Sequence, residues 1–153
     1  MLIPIWQKFI GILIYILPWS DAIPFGRYLF MDLPFLQWLA MPAIPILIIE
    51  QVLPFGSLFL FFVLFLAVAR NPKVPYFLRF NTLQALLIDI AIVLINYAFK
   101  ILIEPLGAGL LVSTLSSTVL IAILAIVIFA IGECLQGKEP DLPGISEAVR
   151  MQL

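Results

Sequence analysis

Between residues 80 and 103 an apolar run is interrupted by Asn81, Thr82, Gln84, Asp89, Asn96 and Lys100. At about 100° per residue these side chains fall within roughly 160° of a helix's circumference. The opposite face carries Leu83, Leu87, Ile90, Leu94 and Ile101. An ionised carboxylate at Asp89 would cost about 2.5–3.5 kcal/mol at the middle of a bilayer helix. Such a residue faces a bundle interior or a water-filled cavity. Two chemistries are open to the stripe. Asn81, Gln84, Asp89 and Asn96 can line a hydrated path, or they can be interhelical hydrogen bonds worth about 0.6 kcal/mol each. Intramembrane acids are functional by default, so Asp89 leans towards the first reading and its neighbours towards the second.

The remaining polar residues point to less chemistry. Ser113, Thr114, Ser116, Ser117 and Thr118 form a hydroxyl cluster whose Ser113/Ser117 and Thr114/Thr118 pairs suit close helix packing. With no His in the chain, no Ser–His or His–metal arrangement can form. No other base flanks the serines, so no catalytic residue is assigned and none of the usual enzyme sites is expected. The single Cys134 cannot form an intrachain disulfide. Glu50 and Glu133 read as interfacial carboxylates. Asp21 and Asp32 are too poor a pair to predict a metal site, and no cofactor is implied.

The elements that must carry these residues are set by composition. Of 153 residues, 64% are hydrophobic and 11% charged, with a net charge of −1. A soluble fold of this length cannot hide so much apolar surface. Nucleic acid is excluded as a partner by the absence of any basic run. The fold class expected is all-α, a polytopic helical membrane protein with the lipid bilayer as its solvent. A span needs about 20 apolar residues. Spans are expected near residues 2–18, 54–69, 80–103 and 106–131. A Pro-rich segment at 33–49, with Pro34, Pro42 and Pro45, is expected to be short or re-entrant. Residues 1–132 form one transmembrane domain. Residues 133–153 form a polar, solvent-exposed tail in which Ser146 can cap a short helix and Ile145, Val149 and Leu153 make one apolar stripe. The loop with Arg70, Lys73 and Arg79 should face the cytoplasm or stroma. Four spans place both termini on that side; five place the N-terminus opposite.

Several stretches carry a resemblance. Arg70-Asn71-Pro72 ends one span, and Arg79-Phe80-Asn81-Thr82-Leu83-Gln84-Ala85 opens the next. Tyr15-Ile16-Leu17-Pro18 with Phe25-Gly26 lies upstream; Gly137-Lys138, Pro143, Ile145-Ser146, Ala148 and Gln152 lie downstream. Together they resemble the signature of the 20-kDa subunit family of the translocon at the inner envelope of chloroplasts, the Tic complex. The resemblance implies four spans and a non-enzymatic subunit of preprotein import. Its partners would be other translocon subunits or copies of itself, and a translocating polypeptide. The chain starts Met1-Leu2-Ile3-Pro4 and enters the membrane at once, unlike a member with a transit peptide. That suggests a plastid-encoded or cyanobacterial form. Its membrane would be the plastid inner envelope in the first case, the cytoplasmic or thylakoid membrane in the second.

The mechanism expected is that Gln84, Asp89 and Asn96 line a cavity closed by other subunits, with Arg70 and Arg79 at its basic mouth. Two rivals remain: a non-conducting scaffold or assembly factor, marked by a sealed bundle with its polar groups paired, and a small-solute or ion transporter, marked by paired broken helices.

Overall fold

A computed structural model describes residues 3–53, 55–107 and 109–153. The described residues are predominantly helical, without strands. The first helical stretch runs from Ile5 to Asp32 in three pieces: α1 (Ile5–Ile14), α2 (Ile16–Ala22) and α3 (Arg27–Asp32). Pro18 lacks an N–H inside α2, and Pro24 lies in a 3-10 turn before α3, so the stretch bends without stopping. A second stretch begins with a 3-10 segment, Pro34–Ala43, and continues as α4 (Ile44–Val52). Helix α5 (Gly56–Leu64) ends in a π turn, Phe65–Ala69. Helix α6 (Tyr76–Ala98) is prolonged to Leu106 by a π turn and a 3-10 turn. Helix α7 (Leu110–Leu135) and the short α8 (Ile145–Gln152) complete the chain.

Four helices are long and apolar enough to cross a membrane: Ile5–Asp32, Pro34–Val52, Tyr76–Leu106 and Leu110–Leu135. The apolar part of α5, Leu58–Ala69, is shorter, about 18 Å at 1.5 Å per residue. This differs from the expected division, in which 54–69 was the span and 33–49 the short piece. The prolines explain it. Pro34 and Pro45 each sit in the first turn of their segment, where no N–H is needed. Pro42 is absorbed in 3-10 geometry.

The contacts place both pieces alongside α6. Residues of α3 line a crevice with Asn96, Lys100 and Glu104, at the far end of α6. Arg79, at the near end of α6, bonds the Ala69 carbonyl. The segment from Pro34 to Ala69 therefore passes along α6 in two helices, the first ending at Val52 and the second starting at Gly56. Phe55 there takes a left-handed conformation, φ 52°. The α1–α3 stretch runs alongside α6, and α7 runs back, so the main chain makes four traverses.

The core lies between α1–α3, α6 and α7. Tyr15, Phe25, Phe77, Ile88, Ile92, Leu120, Leu124, Val127 and Ala130 are buried there. Gly11 lets α1 approach closely: a Cβ at that position would meet the Phe77 ring at 3.4 Å and Cys134 Sγ at 3.6 Å. By contrast α4 has no buried residue, and Phe35, Trp38, Ile48 and Val52 are exposed. In a bilayer such apolar side chains face lipid tails, so their exposure is no liability.

Candidate functional site

Each interruption in these helices frees a backbone carbonyl, and unsatisfied carbonyls are expensive in hydrocarbon. Neighbouring side chains supply donors. Pro42 cannot donate to the Leu39 carbonyl three residues back; Trp19 Nε1 donates to it at 2.7 Å. Ser116 Oγ donates to the Phe25 carbonyl, in the 3-10 turn, at 2.6 Å. Arg79 Nε donates to the Ala69 carbonyl at 3.2 Å. The hydroxyl cluster thus contributes one interhelical bond through Ser116, while Thr118 turns back to the Thr114 carbonyl of its own helix at 2.7 Å.

The structure divides the polar stripe of α6 into two sites. At the near end, Asn81 and Gln84 are fully buried. Tyr15 Oη donates to Asn81 Oδ1 at 2.8 Å, Cys134 Sγ lies 3.2 Å from the same oxygen, and Asn81 Nδ2 donates to the Phe77 carbonyl at 2.8 Å. Gln84 Nε2 donates to Tyr15 Oη at 3.0 Å and to the Pro140 carbonyl at 3.1 Å. Ser146 Oγ donates to Gln84 Oε1 at 2.5 Å and accepts from Leu142 N at 2.7 Å. The knot joins α1, α6, α7 and the C-terminal segment. Both amide atoms of Gln84 are engaged in it.

The other family-signature residues brace the same end. Asn71 Oδ1 accepts from Lys73 N at 3.0 Å, closing the loop after α5. Arg70 Nη1 donates to the Gln152 carbonyl at 3.1 Å. Phe80 is buried under the Arg150 guanidinium, which lies 5.3 Å from its ring centroid. Arg70 and Arg79 thus each donate to a backbone carbonyl at this end. The C-terminal segment is likewise not simply solvated: Pro140, Leu142, Ser146 and Val149 are buried. Gly144, not Ser146, stands at the start of α8, because the Ser146 hydroxyl is engaged with Gln84.

Beyond Gln84 the stripe opens. Asp89 and Asn96 line a cavity of about 610 Å³, walled by Ser20, Asp21 and Pro24 from the first stretch, Leu47 and Glu50 from α4, Leu58 and Phe61 from α5, and α6 as far as Lys100. Three carboxyl groups from three helices converge here. Asp21 and Asp89 face one another closely enough to share a proton, and Glu50 lines the same cavity. Glu50, expected as an interfacial carboxylate at a span end, is thus a lining residue of this cavity. Asp32, exposed at the end of α3, stays apart from Asp21 and outside this cavity. Among the described residues no set of three acidic or thiol side chains is arranged to hold a metal ion. Ile90 and Leu94, expected on the lipid face, also line the cavity. The signal that sequence reading lacked is tertiary: nothing in spacing brings Ser20, Asp21 and Glu50 to Asp89.

The family model for the Tic20-like chloroplast import apparatus matches residues 4–149. This chain belongs to the Tic20 family. A Tic20 family protein from Synechocystis sp. is 37% identical over 96% of this chain and 92% of its own length. Protein TIC 20-v, chloroplastic, from Arabidopsis thaliana is 30% identical over 96% of this chain and 71% of its own. The Tic20 family protein Ycf60 from Gracilaria tenuistipitata var. liui is 29% identical over 94% and 73%. The Tic20 match covers both sites, the knot and the cavity, in one continuous stretch. With four helices long and apolar enough to span, this Tic20 chain is an integral, multi-pass membrane protein.

Proposed function

We propose that this chain serves as a membrane subunit of a protein translocon of the chloroplast import type, and that the cavity between α2, α4, α5 and α6 is where it meets the moving polypeptide. Family membership supports the translocon role. The observation that carries the second part is the other half of the α6 stripe, Asp89 and Asn96, opening into a cavity of about 610 Å³. A polypeptide in transit needs polar groups along its path, because its backbone is costly in hydrocarbon. Four traverses leave no central pore, so the cavity is one wall of a path that other translocon subunits or further copies complete. Both termini and the 70–79 loop then lie on the stromal or cytoplasmic side. The reading assigns no enzymatic step and no cofactor.

The sealed knot of Tyr15, Asn81, Gln84 and Ser146 supports a second reading, a scaffold that holds partners without contacting cargo. Photoreactive residues at Val93 and Phe61, which line the cavity, separate the two readings. A control is placed at Ile101, exposed elsewhere on the same helix stretch. In native membranes holding an arrested translocating chain, positions 93 and 61 should crosslink to that chain and position 101 should not. Crosslinks only to fixed membrane partners would leave the scaffold reading standing.

A further inference from the structure

We propose that the cavity is a binding site for an organic cation with several N–H donors, a guanidinium or alkylammonium group, received by Asp21, Glu50 and Asp89. The inference deepens the translocon reading, on which it rests for one of its two sources: a basic side chain on a passing polypeptide, the other being a free solute. Three carboxyl groups inside one low-dielectric cavity cannot all stay ionised by themselves, and a cation that compensates them is the partner they lack. Lys100 is the one cationic side chain among the lining residues, and its Nζ already lies over the Tyr97 ring, 6.0 Å from the centroid. Among the described residues the ion pairs are made by Arg150 with Glu139 and Asp141, far from the cavity in the fold.

An independent observation also points to a ligand. Ser20 is 1% exposed, lines the cavity, and its Oγ has no hydrogen-bond partner. Asp89, 7% exposed, has an unpartnered Oδ1, and Glu50 an unpartnered, buried Oε1. The free valences are acceptors carried by separate helices. They are not gathered as a bare ion requires, with oxygens at about 2.0–2.6 Å from one point. Dispersed acceptors suit a planar fork of donors such as guanidinium, which can reach several at once. Helix α4 ends beside the cavity at Val52, so its negative dipole end adds to the field. The cavity volume lies within the range of about 300–1,000 Å³ usual for small-ligand sites.

The test uses the full chain in nanodiscs at low ionic strength, titrated by calorimetry with three probes. These are an end-capped Ser/Arg peptide, the same peptide with citrulline for arginine, and methylguanidinium. The arginine peptide should bind about tenfold or more tightly than the citrulline peptide. Glu50→Gln and Asp89→Asn should each weaken it by a similar factor, while Asp32→Asn, outside the cavity, leaves it unchanged. Glu50 is half-exposed on a peripheral helix, so Glu50→Gln remains informative if Asp89→Asn does not fold. Binding of methylguanidinium as tight as that of the peptide assigns the group to a free solute. Peptide binding without it assigns the group to a polypeptide. Equal binding of arginine and citrulline peptides, indifference to both carboxamides, or no binding of any cationic probe overturns the site. Crosslinking from Val93 is unaffected by that failure, so the two readings fall separately.

Discussion

Trp19 shows how a single side chain can be fixed by a defect elsewhere in the chain. Its indole donates to Leu39, whose carbonyl has lost its 3-10 partner to Pro42. Ser116 stands in the same relation to Phe25. Both bonds satisfy acceptors that lipid cannot, so truncation leaves a group unpaired at about 1–3 kcal/mol. Ser116→Ala should therefore lower stability in detergent or nanodiscs by about that amount. Ser113→Ala, without such a partner among the described residues, should shift it by less than about 0.5 kcal/mol. Thermal unfolding followed by helical ellipticity separates the two, and equal losses would show that the cluster acts only by packing. Ser146→Ala is a sharper case. It removes the acceptor for Leu142 N and the donor to Gln84 in one step. The expected loss is again about 1–3 kcal/mol. It should come with faster tryptic cleavage at Arg150, because the C-terminal segment loses its anchor. Unchanged cleavage would mean that α8 is held by Val149 and Arg150 alone.

At the scale of elements, α6 explains why a polar stripe proved to be two sites. Asn81 and Gln84 centre about 120° around the helix from Asp89, Asn96 and Lys100, taking 100° per residue. A continuous arc in projection is thus a slanting band, whose ends face different neighbours. One end is closed by α1, α7 and the C-terminal segment; the other opens towards α2 and α4. The Pro-rich stretch teaches a related lesson. Three prolines read as helix breakers, yet two of them sit at helix starts, where their missing N–H is harmless. The helix ends instead at Val52 and a new one starts at Gly56, so Pro34–Ala69 is two helices and not one. Phe55, highly exposed, should then face lipid near mid-membrane. In a Cys134→Ser background, a cysteine at position 55 should resist membrane-impermeant thiol reagents from both sides. Cysteines at Lys73 and Gly107 should label from opposite sides. Labelling of position 55 on the side of residue 73 would make Pro34–Val52 a full span by itself. Labelling on the side of residue 107 would give that role to residues 56–69.

At the scale of the molecule, the all-α membrane class was legible because composition allows no other solvent than lipid for this chain. The motif Arg79-Phe80-Asn81-Thr82-Leu83-Gln84 marked the family because those residues brace one end of the bundle, where several elements meet. The cavity was half legible. Asp89 stood out as an acid in an apolar run, but Glu50 read as an interfacial residue because its depth depends on where the helix break falls. The C-terminal segment was half legible too: its charges suggest water, but the Ile145, Val149 and Leu153 stripe included Val149, which is buried, with Leu153 packed on the same cluster. That segment now carries a consequence for assembly. Val149 packs on Phe80 and Leu83 at the near end of α6, and Pro140 accepts from Gln84. Removing residues 139–153 would uncover this apolar patch and leave the Gln84 Oε1 acceptor without its Ser146 donor beside it. Loss of the buried Val149 alone is worth about 1.5–3 kcal/mol. The truncated chain should still insert, because the four traverses lie before residue 136, but it should melt earlier and self-associate through the bared end. Size-exclusion chromatography with light scattering in detergent reads this directly. A truncated chain with the native melting profile and the native mass would show that the knot is closed by α1, α6 and α7 without help from the C-terminal segment. The scaffold reading would then lose the element that most distinguishes it from a path-lining subunit.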